Sequence, residues 1–195
     1  MPYRGSMRIV NYRLLAGCAT ALLATFALAG CVPTPTPTPM PSTSAATDAP
    51  VFASDEEALA AATEAYAAYL KVSDAVGSEG GSNPERYDGV ASGLALANAS
   101  KSAGQFRDMG AHSVGVTSIE VADLQSWGYD RERGTFVTLY LCDDVSQVDV
   151  FDSNGASIVS PDRPDRTPFE VSLTALVDSE LQLASKDAWK GGNFC

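Results

Sequence analysis

Apolar residues recur along this chain with more than one period, and the changes of period divide it. Leu14 to Gly30 is an uncharged, mostly apolar run that ends in small side chains and falls short of the roughly 20 residues a stable membrane span needs. Val32 to about Ala53 has no apolar period. Pro33 to Pro39 alternates proline with threonine, which favours extended polyproline II, and Ser42 to Asp48 is small and polar. From Asp55 the period becomes helical: Leu59, Ala62, Tyr66, Tyr69 and Leu70, continued by Ser73 and Ala75, share one face, with Glu57, Glu64 and Lys71 off it. Ser54 stands three residues before Glu57, the signature of a capping box, and Asp55 and Glu56 put negative charge at the positive end of the helix dipole. Gly77 and the Gly80-Gly81 pair are expected to stop this helix. Asn83-Pro84 should start another, with the asparagine as N-cap and the proline in the first helical position. Gly89, Gly93 and Gly104 lower helix propensity as far as Met109, which predicts two short helices or one broken one.

After His112 the period shortens to that of strands. Val114 to Leu124 begins on one parity and mixes near Ser118, predicting a bulge or bend. Thr135 to Leu141 is apolar or β-branched on both faces, as a central strand is, and Val148 to Phe151 leads into the turn Asp152-Ser153-Asn154-Gly155. Pro161 to Arg166 reads as a polar loop. Phe169, Val171, Leu173, Ala175 and Val177 alternate with Glu170, Ser172 and Thr174, and Leu181 and Leu183 resume the alternation after a turn at Asp178-Ser179, which makes a hairpin. The order predicts an α+β domain over residues 54–195: amino-terminal helices packed on a curved antiparallel sheet of four to five strands.

Charge changes the reading of the amino terminus. Arg4, Arg8 and Arg13 precede the apolar run with no acidic residue, the layout of a signal peptide. The tetrapeptide Leu28-Ala29-Gly30-Cys31 that closes the run resembles the lipobox of bacterial lipoproteins. The resemblance implies a signal peptide over residues 1–30, cleavage before Cys31, diacylation of that cysteine, and anchoring to the extracytoplasmic side of the cell membrane by chains worth about 0.8 kcal/mol per buried methylene. An ordinary secretory signal or an uncleaved anchor is the alternative. Three of the 13 basic residues and none of the 24 acidic ones lie in residues 1–30, so the chain from Cys31 carries 10 basic against 24 acidic residues, a net charge of −14. Such a field repels phosphate backbones and anionic headgroups and argues against nucleic-acid partners. Residues 31–53 then form a lipidated spacer, whose Thr34, Thr36 and Thr38 are candidate O-glycosylation sites.

With Cys18 in the signal peptide and Cys31 taken by lipid, Cys142 and Cys195 remain. In an oxidising compartment two such residues suggest one disulfide tying the carboxy-terminal residue to a strand; two free thiols are the alternative. A long helix with a tyrosine pair, broken helices and a curved antiparallel sheet resembles the nuclear transport factor 2-like (SnoaL-like, cystatin-like cone) fold. More specifically, Leu139 to Ser146, the Asn154-Gly155 turn and the tail Trp189 to Cys195 are similar to secreted or lipid-anchored actinobacterial proteins, a likeness that brings no activity with it. The cone resemblance implies a pocket between sheet and helices, used in that fold's enzymes for proton transfer by an Asp or His base and a Tyr donor.

Candidates for that chemistry are few. His112 is the single histidine and stands at a strand start, more the place of a surface residue than of a base. Asp143 and Asp144 are strand neighbours that point to opposite faces, so they cannot form a dyad. Asp144 or His112 is the candidate base and Tyr66 or Tyr69 the donor, the aspartate weighed against a carboxylate that satisfies backbone amides or pairs with Arg163 or Arg166. Tyr66, Tyr69, Phe106, Trp127 and Tyr140 are candidates for lining an apolar pocket, against the plainer reading of core. Asp152 to Gly155 fails as a calcium loop, because Val150 and Pro161 occupy the opening and closing ligand positions. One histidine and a paired set of cysteines leave no zinc set, and no glycine-rich phosphate loop occurs, so no cofactor is expected. The favoured reading is a non-catalytic envelope lipoprotein that binds a small apolar ligand or an envelope protein. The alternative is a small isomerase- or dehydratase-like enzyme.

Overall fold

The computed structural model describes residues 51–132, 134–176 and 179–195. Cys31, the expected signal peptide and residues 32–50 of the expected spacer lie outside them; Phe52, expected in the spacer, is buried in the core against Trp127, so the folded unit starts before residue 54. Ala46–Cys195 is one compact unit.

Helix α1 (Asp55–Ser78) starts where the capping signature places it. The Ser54 hydroxyl accepts the Glu57 N–H at 3.3 Å, and the Glu57 carboxylate reaches back to the N–H of Ala53 at 2.6 Å, one residue before the usual partner. Ala58, Ala62, Tyr66, Leu70 and Val76 form its buried face. The helix runs through Gly77, and the physical role of that glycine is close approach: a Cβ there would stand 2.5 Å from the Ser113 hydroxyl on the strand beneath. Termination falls instead to Gly80 and Gly81, both at positive φ. Asn83 then occupies the cap position of a 3-10 helix (Pro84–Gly89) with φ 52° and without a side-chain cap bond. Helix α2 (Gly93–Met109) ends on Gly110 in the left-handed region, and Ala111 N–H returns to the Phe106 carbonyl at 2.9 Å. Between Asn83 and Met109 the chain therefore forms a six-residue 3-10 helix and a 17-residue α-helix, so the expected break falls after Gly89 while Gly104 is carried inside a continuous helix.

The main sheet is antiparallel, in the order β2 (Ser118–Asp130), β3 (Gly134–Asp144), β5 (Arg166–Ala175), β6 (Gln182–Ala188). A separate pair joins β1 (His112–Val114) to β4 (Asp149–Phe151), beyond which Asp152 closes the expected turn by accepting the N–H groups of Asn154 and Ala156. Thus Val114 to Leu124 is two strands, broken at Gly115 to Thr117 where the Asp74 carboxylate of α1 takes both the N–H and the hydroxyl of Thr117 at 3.0 Å. Register shifts fall at Val121/Asp123 and Leu124/Ser126 in β2 and at Ser172/Leu173 in the β5–β6 pairing. Such bulges bend a strand and change which residues face the core. Of the β5–β6 turn, Val177 and Asp178 lie outside the described residues, and Ser179 N–H meets the Leu176 carbonyl at 3.1 Å.

On the inner face Val137, Leu139, Leu141, Val171, Leu173 and Leu183 are fully buried against Tyr66 and Leu70 of α1. Burial of this kind is worth about 1.5–3 kcal/mol for each large side chain. On the outer face, Cys142 is bonded to Cys195 with Cα atoms 5.7 Å apart. The tail is thereby folded back over β3, with the Trp189 ring centroid 5.0 Å and that of Phe194 6.2 Å from Tyr140. Gly191 lets the tail turn over its own tryptophan, since a Cβ there would come within 2.5 Å of the indole nitrogen.

Candidate functional site

Two features of the domain carry chemical interest: a polar group sealed in the core and an open apolar cleft. They lie in different parts of the fold.

The polar group is built on Asp143. It is the last residue of β3 to share the parity of Val137, Leu139 and Leu141, and it is buried with them. The Tyr66 hydroxyl donates to its carboxylate at 3.0 and 3.2 Å, and the Lys186 ammonium forms an ion pair with it. The same ammonium stands 4.2 Å from the centroid of the Phe169 ring and 5.8 Å from that of Tyr66. The carboxylate is thus fully engaged, as a buried charge must be. Burial, reinforced by the Asp143 charge, raises the Tyr66 phenol well above its ordinary range. Tyr69, whose ring centroid is 6.0 Å from that of Tyr66 and 5.9 Å from that of Tyr87, is pushed up to about 12, mainly by burial and then by Tyr87.

These phenols imply an alkaline limit on stability. The folded chain holds protons that the unfolded chain gives up near pH 10. The contribution of Tyr69 is therefore complete below about pH 10 and is lost as pH rises from there toward about 12. Urea unfolding at pH 9, 10 and 11 should show a falling midpoint, and Tyr69→Phe should make the fall shallower. Parallel pH profiles for the two proteins would contradict this assignment.

The fold separates the residues that proton transfer in a cone pocket would bring together. Asp144 is on the face opposite Asp143. Its carboxylate accepts the Ser146 N–H at 2.9 Å, and hydrogen bonding to Ser146, with Arg166 nearby, holds it below the usual carboxylate range. It acts as a turn cap. Arg163 donates to the carbonyls of Val145 and Val148, and Arg166 pairs with Glu120. His112 is exposed on β1, its ring 5.9 Å from that of Phe151 across the two-stranded pair. Among the described residues no three His, Cys, Asp or Glu side chains cluster as a metal site.

An apolar cleft of about 630 Å³ lies toward the start of β3 rather than its Asp143 end, beside a hollow of about 660 Å³ that shares Leu176 and Glu180 with it. Ala61, Ala65 and Ala68 of α1 form one wall, and Thr135, Ala175 and Leu176 the other. Phe52, Val90, Tyr129 and Leu181 close the ends, with Glu64 and Glu180 as its charged residues. Alanines at i, i+4 and i+7 create it, because larger side chains on that face of α1 would fill the gap against the sheet. Tyr129, Leu176 and Val51 stand exposed around it, Leu176 to 69%.

The aromatic residues expected to line a pocket are distributed elsewhere. Tyr66 and Tyr69 belong to the core beside Asp143. Phe106 borders a smaller hollow of about 170 Å³ between the two helices and β1. Trp127 packs edge-on against Phe52 and donates its indole N–H to Asp55 at 2.7 Å, which ties β2 to the first turn of α1. Tyr140 corrects the expectation most plainly, since it faces away from the helices and lies under the disulfide-bonded tail.

No protein-family model and no curated protein matches this chain. Among solved structures, the intermembrane space region of the chloroplast protein ARC6 is similar at 12% identity, with a TM-score of 0.44, over 67% of this chain and 95% of that one. Among the described residues no helix is long and apolar enough to cross a membrane.

Proposed function

We propose that this chain is a lipoprotein, cleaved before Cys31 and held by lipid at the extracytoplasmic face of the cell membrane, whose nuclear transport factor 2-like domain binds an apolar ligand. One observation carries the binding reading: a cleft of about 630 Å³, inside the range of about 300–1,000 Å³ usual for ligand sites, is lined mostly by alanine, leucine, valine and aromatic side chains, and its described charged residues, Glu64 and Glu180, have no basic residue beside them in the lining. The titratable group that could serve a reaction, Asp143, is sealed in the core with Tyr66 and Lys186. The disulfide suits an oxidising compartment. The role is therefore capture of an apolar molecule near the envelope, with the proline-threonine spacer giving the domain reach.

The test is titration of the unit 46–195 with the uncharged dye N-phenyl-1-naphthylamine under native conditions, beside Ala65→Trp, which puts an indole into the cleft. Saturable fluorescence that Ala65→Trp reduces tenfold or more in affinity is the expected result. Binding that is indifferent to the indole, in a variant with an unchanged unfolding midpoint, would remove the cleft from consideration. The anchor is tested separately: Cys31→Ser should abolish incorporation of labelled palmitate.

A further inference from the structure

The charges around the cleft define the kind of head group it admits. Its charged lining residues among those described are both carboxylates, Glu64 on α1 and Glu180 in the loop before β6, and both are exposed. Neither has a hydrogen-bond or ion-pair partner among the described residues. Asp143, Asp144, Asp152 and Glu120 satisfy their oxygens with a hydroxyl, a backbone amide or a cation, whereas Glu64 and Glu180, like exposed Glu85 and Asp108, leave theirs to solvent. Glu64, on α1, and Glu180, in the loop before β6, both line this apolar hollow, with no lysine or arginine among the described lining residues.

Resting on the ligand-binding reading above, we infer that the cleft takes an amphiphile with an apolar body and a cationic head, and discriminates against fatty acids and other anionic lipids. The alkyl or aromatic body lies against Ala61, Ala65 and Leu176, and the ammonium stays at the rim between the two carboxylates, half in water. A carboxylate head in the same position would meet two like charges and the field of a chain already strongly acidic, with no cation among the described lining residues to offset its lost hydration. A cation gains from both glutamates without full desolvation, the regime in which exposed pairs are modestly favourable and add to the apolar term.

The test compares two probes of equal chain length, dodecyltrimethylammonium and dodecanoate, below their micelle concentrations at pH 7.5 and 0.15 M salt, by calorimetry on the unit 46–195. The expected result is roughly tenfold tighter binding of the ammonium. In the Glu64→Gln/Glu180→Gln double variant, the two affinities should approach each other within about threefold. Equal or tighter binding of dodecanoate overturns the inference and leaves the apolar cleft standing as a ligand site. A preference that survives in the double variant also overturns it, because the selectivity then belongs to the acidity of the whole surface. Absence of binding by either probe, with Ala65→Trp indistinguishable from the parent, sinks the ligand-binding reading and this inference with it.

Discussion

Replacing Cys142 and Cys195 together with serine is expected to lower the unfolding free energy of the unit 46–195 by about 4 kcal/mol. The bridge closes a loop with a sequence separation of 53, and removing it returns that loop-closure entropy to the unfolded chain. The folded state loses something as well. The Trp189 N–H bond to the Pro168 carbonyl at 2.9 Å and the packing of Trp189 and Phe194 on Tyr140 belong to a tail that has no other covalent hold. The local change can be read directly: in a Trp127→Phe background the emission of Trp189 should shift to the red on disulfide removal, ahead of global unfolding in urea. A stability loss under 1 kcal/mol with unshifted emission would mean that the tail is held by packing alone.

The second large effect concerns the buried ion pair. Lys186→Met should cost about 3 kcal/mol, because it leaves the Asp143 carboxylate, whose side chain is 5% exposed, in the core with the Tyr66 hydroxyl as its remaining partner. The estimate sits at the low end for breaking a buried pair, since the lysine itself is 24% exposed and part of its desolvation is recovered. The double variant Asp143→Asn/Lys186→Met should recover most of the loss, because a neutral amide can still accept the tyrosine hydroxyl while no unpaired charge remains. Chemical unfolding of the two single variants and the double gives the coupling energy. If Lys186→Met unfolds within 0.5 kcal/mol of the parent, the carboxylate is reaching water by some path and the core is not sealed around it.

Both effects arise from the alternation of β3, which carries Asp143 on one face and Cys142 on the other, and that alternation was legible from the sequence. So were the capped start of α1, the helices-then-sheet order, the β5–β6 hairpin and a helical break, which falls between Gly89 and Gly93. Which face of β3 turned inward was not. Phe136, Thr138 and Tyr140 are as apolar or β-branched as Val137, Leu139 and Leu141, so the pattern fits a strand covered on both sides. What covers the second side is the carboxy-terminal tail, a contact between residues roughly fifty apart. Asp144 therefore looked as eligible as Asp143 for the interior. Lys186 was hidden for a different reason. Strict alternation from the buried Leu183 places Ser185 and Asp187 inside and Lys186 outside, and only the register shift opposite Ser172/Leu173 turns the lysine toward Asp143.

The cleft was invisible in a third way. Ala61, Ala65 and Ala68 read as an ordinary helical face, and a gap between a helix and a sheet depends on what stands opposite small side chains, which no single segment records. By itself, then, the sequence determined the elements, their order and the two-faced character of β3, because those follow from local periodicity and capping. The tertiary structure alone decided which aspartate is buried, what neutralises it, where the aromatic residues go and where the domain stays open. Each of these depends on register shifts and on contacts between residues far apart in the chain.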